Sequence, residues 1–426
     1  MSRDGSITLE WAGGEHLFRL GWGELRSIQE ACDAGPFAIL ERLGNGAWWL
    51  DDISSVIRFG LIGGGMPPVE AAKMVRASEE GSATLNGTDG DPWQVAARRI
   101  VDFFVSEFGR AVFRICVAEA DRFTAATITA HNSLGIGPLY YFGNAAQRQK
   151  YIPQLCTGEK LWAFGLTEPN AGSDSRGSKT TATKVAGGWR INGSKIFITN
   201  GATRMNAGVT VQAVTGSKGE GRPELSCFIV ENGTPGFTSR AMHGKLMWRA
   251  SDTSELYFDN VFVPDENLLG KQGDGSKQML ATLDRGKIGI AAMGVGCAQG
   301  AFDAALAYAN ERNQFGQPIA KFQSIAFALA DMHMKIELAR TYLHKACALA
   351  DSGAAFTKEA AIAKLYSSEI AGEVSDMAVQ IHGGYGLMEE YDVARFWRDH
   401  RLLRIGEGTS EIQRLIISRS IGAGAE

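Results

Sequence analysis

Cysteine is scarce and scattered in this chain. Six occur in 426 residues, at Cys32, Cys116, Cys156, Cys227, Cys297 and Cys347, and none forms a Cys-x-x-Cys pair. That excludes a disulfide framework and a structural zinc site, and leaves buried thiols; no metal is expected. An excess of one charge is also missing. Lys and Arg total 43 against 47 Asp and Glu, for a net charge of -4 and a pI near 6.1. This argues against nucleic acid as the main partner. The N-terminus, Met1-Ser2-Arg3-Asp4-Gly5-Ser6, has no apolar signal core. No run reads as long and apolar enough to cross a bilayer. The expectation is a soluble, cytoplasmic protein without a membrane span. Its length allows about two to four domains and a large core.

Periodicity changes along the chain. Ile7, Leu9 and Trp11 alternate, Gly13-Gly14 reads as a turn, and a second short run ends near Leu20, which is a hairpin signature. Short helical patterns follow at 24–31, 37–43, 51–61 and 68–76, with Asp51 or Asp52 as a cap and Pro68 suited to a first turn. Residues 81–92 have linker composition and mark a module boundary, so 1–80 form a hairpin-plus-helices module. Residues 93–160 read as helical, with Val95, Ile100, Phe103, Phe104, Phe108, Val112 and Ile115 as a stripe and a second one over 145–155. Over 161–269 the period becomes two. Asn192-Gly193 predicts a hairpin between 189–191 and 196–198, and 255–263 another strand, giving a small antiparallel β-domain. Residues 270–426 return to helix, with segments at 319–352, 357–382 and 411–421. Their Ala and Gly content permits close approach, so a four-helix bundle is expected. The fold class is α+β.

Several motifs carry possible chemistry. In Arg404-Ile405-Gly406-Glu407-Gly408-Thr409-Ser410-Glu411-Ile412-Gln413, a carboxylate stands between two glycines ahead of a helix. Ser410 with Gln413 reads as a capping box. Glu407 could reach a substrate there, or simply complement the helix dipole. Phe197 could wall a flavin ring or fill a core. Thr167, Gly172 and Ser173 could bond a flavin edge and pyrophosphate, or make an ordinary turn. Gln380-Ile381-His382-Gly383-Gly384 could present amides to a phosphate, or only end a helix.

Together with Phe164 to Asp174, Asn192 to Gly201, Ser251 to Leu256 and Arg312 to Gly316, these motifs stand in the order of the acyl-CoA dehydrogenase family. The chain resembles that family from about Ala111 to Gly422. The resemblance implies a partial N-terminal helical domain, a middle β-domain and a C-terminal bundle, with FAD between the last two. Phe164, Leu166, Thr167, Ser173, Phe197, Ile198 and Thr199 match flavin contacts of one subunit. Arg312, Gln314, Phe322, Gln323 and Gln380 to Gly384, including Ile381, His382 and Gly383, match segments that reach FAD across a subunit boundary. Thr409 and Glu411 match adenine-side contacts. A shared site implies a homo-oligomer, usually a tetramer.

Glu407 matches the family's catalytic base, which removes the α-proton of a fatty acyl-CoA while the β-hydrogen leaves as hydride to flavin N5. The thioester carbonyl is then held by the base's own N–H and a ribityl hydroxyl, and the acyl chain desolvates the carboxylate and raises its pKa. Ser173, Asp284, Lys287 and Gly408 match substrate-contacting positions. One branch carries its base at the position of Gly286, and glycine there leaves Glu407 as the candidate. The resemblance also implies an electron-transfer flavoprotein as electron acceptor and leans toward short-chain, butyryl-type members.

Three departures stand out. Lys287 replaces a usual arginine, which loses the planar fork. Met247 stands where glycine is common. The first helices of the family, with a Pro-x-x-Tyr-Gly-Gly-like turn, are missing. Residues 1–80 instead resemble small tail-assembly proteins of gene transfer agents and phages, Gly60 to Glu70 most of all. The resulting expectation is a fusion of an assembly-type module with a dehydrogenase. Its alternatives are a non-catalytic flavin-binding body and an oxygen-using acyl-CoA oxidase.

Overall fold

The computed structural model describes residues 6–11, 14–19, 56–58, 61–62, 66–82, 122–219, 221–249 and 251–424. Strands β1 (Ser6–Trp11) and β2 (Gly14–Arg19) pair antiparallel with Trp11 opposite Gly14. The expected hairpin is there, and its link, residues 12 and 13, lies outside the described residues. Helix α1 (Pro68–Ser82) starts on Pro68, where the missing N–H costs no hydrogen bond. The helices expected at 24–31 and 37–43, the linker 81–92 beyond Ser82, and the stripe at 95–115 lie outside the described residues.

Helix α2 (Arg122–Thr129) runs through a π-helical segment, Ala130–Gly135, into α3 (Ile136–Phe142), and α4 (Ala145–Cys156) follows. Asn144 and Gln147 form a capping box at the start of α4. At Gly135 an added Cβ would stand 2.5 Å from the Trp162 carbonyl oxygen, so only glycine lets the helix lie against the next strand. The Trp162 N–H donates to His131 Nδ1 at 3.1 Å, which leaves Nε2 as the donor to the Leu155 carbonyl at 2.9 Å. The ring is thereby a neutral tautomer, and burial pushes its pKa down in the same sense.

The β-domain holds β3 (Leu161–Gly165), β4 (Thr181–Val185), β5 (Gly188–Thr199), β6 (Asn206–Ser217), β7 (Pro223–Glu231), β8 (Phe237–Ala241), β9 (Thr253–Pro264) and β10 (Leu268–Leu269). Their order is β10-β7-β6-β4-β5-β9-β8, with β3 also on β6. The sheet is mixed rather than antiparallel as expected, because β3 and β4 both run parallel to β6. Alternation reports which face is buried, not pairing direction. The chain returns to β6 only after the β4–β5 hairpin, a connection long enough for a parallel crossover. A second correction concerns Asn192-Gly193. The hairpin closes instead at residues 186–187, where Gly187 has φ 73°. Gly193 sits in a bulge of a continuous β5, where a Cβ would lie 2.6 Å from Thr180 Oγ1.

The C-terminal part is helical, built from α5 (Gly275–Glu311), α6 (Gln323–Asp351), α7 (Thr357–His382), α8 (Asp392–Asp399) and α9 (Ser410–Ser420), with a short β11–β12 hairpin (Asn313–Gln314, Gln317–Pro318) between α5 and α6. Small residues bring α5 and α7 together. A Cβ on Gly294 would stand 2.9 Å from the Ser367 backbone. The sequence reading passed over α5 as a span candidate. One 18-residue window of it has mean hydropathy 1.3, but 61% of that window is buried inside the protein, which makes α5 a core helix. Trp248 fastens the β-domain to the bundle, its backbone N–H donating to Asp399 Oδ1 at 3.0 Å and its indole N–H to the Asp399 carbonyl at 3.1 Å. Cys227, Cys297 and Cys347 are buried thiols outside any disulfide, and no metal-ligating cluster occurs among the described residues.

Candidate active site

The sequence-derived site residues fall into three groups. The first lies at the edge of the β-domain. After β3 the chain makes a tight turn in which Glu168 and Ala171 exchange both backbone hydrogen bonds. The Glu168 carboxylate is buried. It accepts from Lys195 Nζ at 2.7 Å, Ser178 Oγ at 2.5 Å, and the backbone N–H groups of Lys179 and Thr180 at 2.7 and 3.1 Å. Burial alone pushes this carboxyl up, but the Lys195 ammonium and the hydrogen bonds outweigh it and hold the pKa at about 2. Lys195 also donates to the Leu166 carbonyl, and the Ile196 N–H to the Thr167 carbonyl at 2.9 Å. The pair therefore fastens the loop of Leu166, Thr167 and Ser173 to the strand of Phe197, Ile198 and Thr199. Phe164, Leu166 and Ile198 are buried, Thr167 and Thr199 half-buried, and Ser173 is exposed. Phe197 has φ 60° and its side chain is 62% exposed, an aromatic face held outward by a left-handed backbone. Neither Glu168 nor Lys195 was singled out from sequence.

The second group surrounds Glu407. Here the backbone is left-handed at two consecutive residues, Glu407 with φ 54° and Gly408 with φ 95°. The elbow turns the carboxyl back onto the first turns of α5. A Cβ built on Gly286 would lie 2.7 Å from Glu407 Cδ and nearer still to Oε2. Gly286 is thus the seat of the Glu407 carboxylate. Asp284 and Lys287 form an ion pair of 2.5 Å on the same turn, and Thr357 Oγ1 donates to Asp284 Oδ2 at 2.8 Å. The expected capping box is not formed. Thr409 is the N-cap of α9 and accepts from the Ile412 N–H. Ser410 donates instead to Glu369 at 2.8 Å, and Gln413 Nε2 to the carbonyls of Glu407 and Gly408 at 3.4 and 2.9 Å. The reason is burial. Ser410 and Gln413 point into the bundle, whereas the Thr409 hydroxyl lies over the helix start. Glu411 is exposed, and its own N–H and the Thr409 hydroxyl hold its carboxyl low.

The third group lines an open cavity of 570 Å³ at the other end of α5 and α7. Its wall includes Arg312, Gln314, Ile381, His382, Gly383 and Gly384. The His382 ring turns inward, stacked on Tyr308 at 4.2 Å between centroids, with Nδ1 at 2.8 Å from the Ala378 carbonyl. What remains for a ligand are the exposed glycine backbones, with open space where side chains would stand, and Arg312. Phe322, Gln323 and Gln380 lie outside this wall.

One residue escaped sequence reading altogether. Lys364, in the first third of α7, has no exposed surface and donates to the Gly408 carbonyl at 2.7 Å. Its signal was a lone cation in the small-residue stripe Ala360, Ala361, Ala363, Ser367 and Ser368.

Residues 108–159, 163–261 and 273–422 match the N-terminal, middle and C-terminal domains of acyl-CoA dehydrogenase. Residues 4–88 match a phage tail tube protein family, GTA-gp10. The chain is 50% identical over 305 residues to the probable acyl-CoA dehydrogenase YngJ of Bacillus subtilis, covering 72% of this chain and 80% of that one. It is 46% identical to the short-chain specific acyl-CoA dehydrogenase of Megasphaera elsdenii, covering 70% and 78%. Among solved structures, butyryl-CoA dehydrogenase from Megasphaera elsdenii superposes with TM-score 0.73 at 38% identity, over 94% of this chain and 97% of that one. A glutaryl-CoA dehydrogenase from Mycobacterium smegmatis in complex with FADH2 gives 0.71 at 28% identity, over 75% and 81%.

Proposed function

The chain belongs to the acyl-CoA dehydrogenase family, and from that premise we propose that it converts a short-chain acyl-CoA to the trans-2-enoyl-CoA with Glu407 as the base. The observation that carries this reading is the Glu407 carboxylate seated on Gly286. A side chain at Gly286 would displace that carboxylate, and glycine leaves room for it.

FAD is the family's cofactor, and the residues present fit it. Phe197 offers an exposed aromatic face. At Gly172 nothing stands within 4 Å of where a Cβ would be, so the backbone beside Ser173 is open to a ligand. Phe164 to Ser173 and Phe197 to Thr199 would hold the flavin of one subunit. Arg312, Gln314, Phe322, Gln323 and Gln380 to Gly384 would reach the FAD of a neighbouring subunit, and Thr409 and Glu411 its adenine side. When bound, FAD supplies the hydride acceptor.

The protein's own part is to bind, polarise and deprotonate. Glu407 Oε2 takes the α-proton while the Glu407 N–H holds the thioester carbonyl, which lowers the α-carbon's pKa toward the reach of a carboxylate. Ser173, Asp284, Lys287 and Gly408 line the substrate's path. The α6 face bearing Phe327, Met334 and Leu338, each more than half exposed, supports a homo-oligomer, a tetramer in our reading. An electron-transfer flavoprotein would then take the electrons. Glu407→Gln is expected to retain FAD and abolish bleaching of the flavin band on anaerobic addition of butyryl-CoA; unchanged bleaching would remove Glu407 from the role.

The tail-tube-like match of residues 4–88 favours a second reading, an assembly-type module carried on a non-catalytic body. Failure of the purified chain to retain FAD would favour it. Release of hydrogen peroxide on acyl-CoA addition in air would instead indicate an oxidase.

A further inference from the structure

Proton abstraction by Glu407 leaves one buried group without a task, the Lys364 ammonium. An ammonium wholly removed from water is costly unless charge and hydrogen bonds compensate it. The charged groups acting on it lie on the C-terminal segment, α5 and α7. They are Glu407 and Glu411 from the C-terminal segment, Lys287 from α5, and Glu369 from α7 itself. Glu369 accepts from Ser410 and pairs with Arg404 and Arg414; Lys287 pairs with Asp284; Glu411 takes its own N–H and the Thr409 hydroxyl. Of the four, Glu407 acts on Lys364 most strongly.

The backbone gives a second, independent connection. Glu407 is a non-glycine residue in the left-handed region, a conformation that persists only where its surroundings enforce it. Two buried donors converge on the elbow from different helices, Lys364 Nζ from α7 and Gln413 Nε2 from α9, and both reach the Gly408 carbonyl. A carbonyl oxygen has two lone pairs, and here both are taken.

We propose that Lys364 is a positioning residue for the base: its N–H locks the Glu407–Gly408 elbow, and its charge keeps Glu407 ionised until substrate arrives. The inference rests on the reading of Glu407 as the base. Burial pulls the Lys364 pKa down to about 8, against the pull of Glu407, so the group remains mostly charged at neutral pH.

The test uses the full FAD-loaded chain. Anaerobic flavin bleaching by butyryl-CoA is followed from mildly acidic to mildly alkaline pH in the parent, Lys364→Gln, Lys364→Met and Glu407→Gln. Gln keeps an N–H donor without the charge, whereas Met removes both. Both are expected to move the acidic limb of the rate upward by about one pH unit, since an opposite charge has been taken from the carboxylate. Met is also expected to lower the plateau rate about tenfold with KM little changed, because the elbow loses a restraint. Removing one member of a buried set of charges is destabilising, so the thermal midpoint of Lys364→Met should fall, and rates are compared well below each variant's midpoint. Should Met fail to fold, Gln still carries the charge arm. An acidic limb in Lys364→Gln that superimposes on the parent overturns the proposal, and so does a parent-like plateau in a folded Lys364→Met. Turnover surviving in Glu407→Gln would instead overturn the base assignment, which separates the two failures.

Discussion

Gly286→Ala isolates the geometry of the proposed base, Glu407, from the stability of the fold. On the Gly286 backbone, the three atoms nearest to a built Cβ all belong to the Glu407 carboxyl, with Cδ at 2.7 Å. No backbone atom and no other side chain comes closer. The clash is therefore with the far end of a flexible side chain rather than with backbone. Alanine also suits the interior of α5 better than glycine, by about 0.5–1 kcal/mol. The thermal midpoint is thus expected to stay or rise slightly, and FAD retention to be unchanged. Catalysis should respond very differently. Relieving the overlap moves the carboxylate by about 1 Å, and a misplacement of that size can cost about 100-fold in rate, or about 2.7 kcal/mol in the barrier. The assay is the anaerobic single-turnover rate of flavin bleaching by butyryl-CoA beside a thermal melt. Bleaching at the parent rate would refute the claim that Gly286 seats the base. A large loss of stability would show that the glycine serves packing instead.

Other expectations follow from the same structure. Lys195→Met leaves the Glu168 carboxylate buried without its cation, which should cost about 3–5 kcal/mol and loosen FAD, measured by urea unfolding and by the cofactor's release on dilution. The Glu168 carboxyl is held at about 2 against an ordinary 4.5, so the folded state binds fewer protons between those values. Its contribution is complete above about pH 4.5 and is lost as pH falls toward about 2, on the order of 3 kcal/mol in all; Glu168→Gln should flatten the acid limb of the unfolding midpoint. Gly294→Val places side-chain atoms where even a Cβ would meet the Ser367 backbone at 2.9 Å, and should lower stability by about 1–3 kcal/mol through separation of α5 from α7. Trp248→Ala removes the indole hydrogen bond to the Asp399 carbonyl and a buried ring, for about 3–5 kcal/mol, and should increase proteolysis of the loop before β9.

Much of the architecture was legible from the chain. The change of period near residue 161 and again near 275 corresponds to the first strand of the β-domain and the start of α5. Helix α7 begins and ends at the residues that the pattern indicated. The family motifs located the Glu407 elbow and the loop of Leu166, Thr167 and Ser173. Local signals misled where two structures share one local code. Asn-Gly serves a hairpin turn or a bulge equally well, since both need an unusual backbone at glycine, and only the neighbouring Thr180 decides. Ser410 and Thr409 are both good caps, and the depth of Ser410 in the bundle settles which one caps.

The order of motifs along the chain determined the family, the class of cofactor and the candidate base, because those depend on residue types at spacings that the backbone preserves. Only the tertiary structure brought Gly286 under Glu407, Lys195 onto Glu168, and Lys364 beneath Gly408. Each pair is separated by tens of residues or more, and nothing in local periodicity reports which distant side chain fills the space left beside a glycine or balances a charge removed from water.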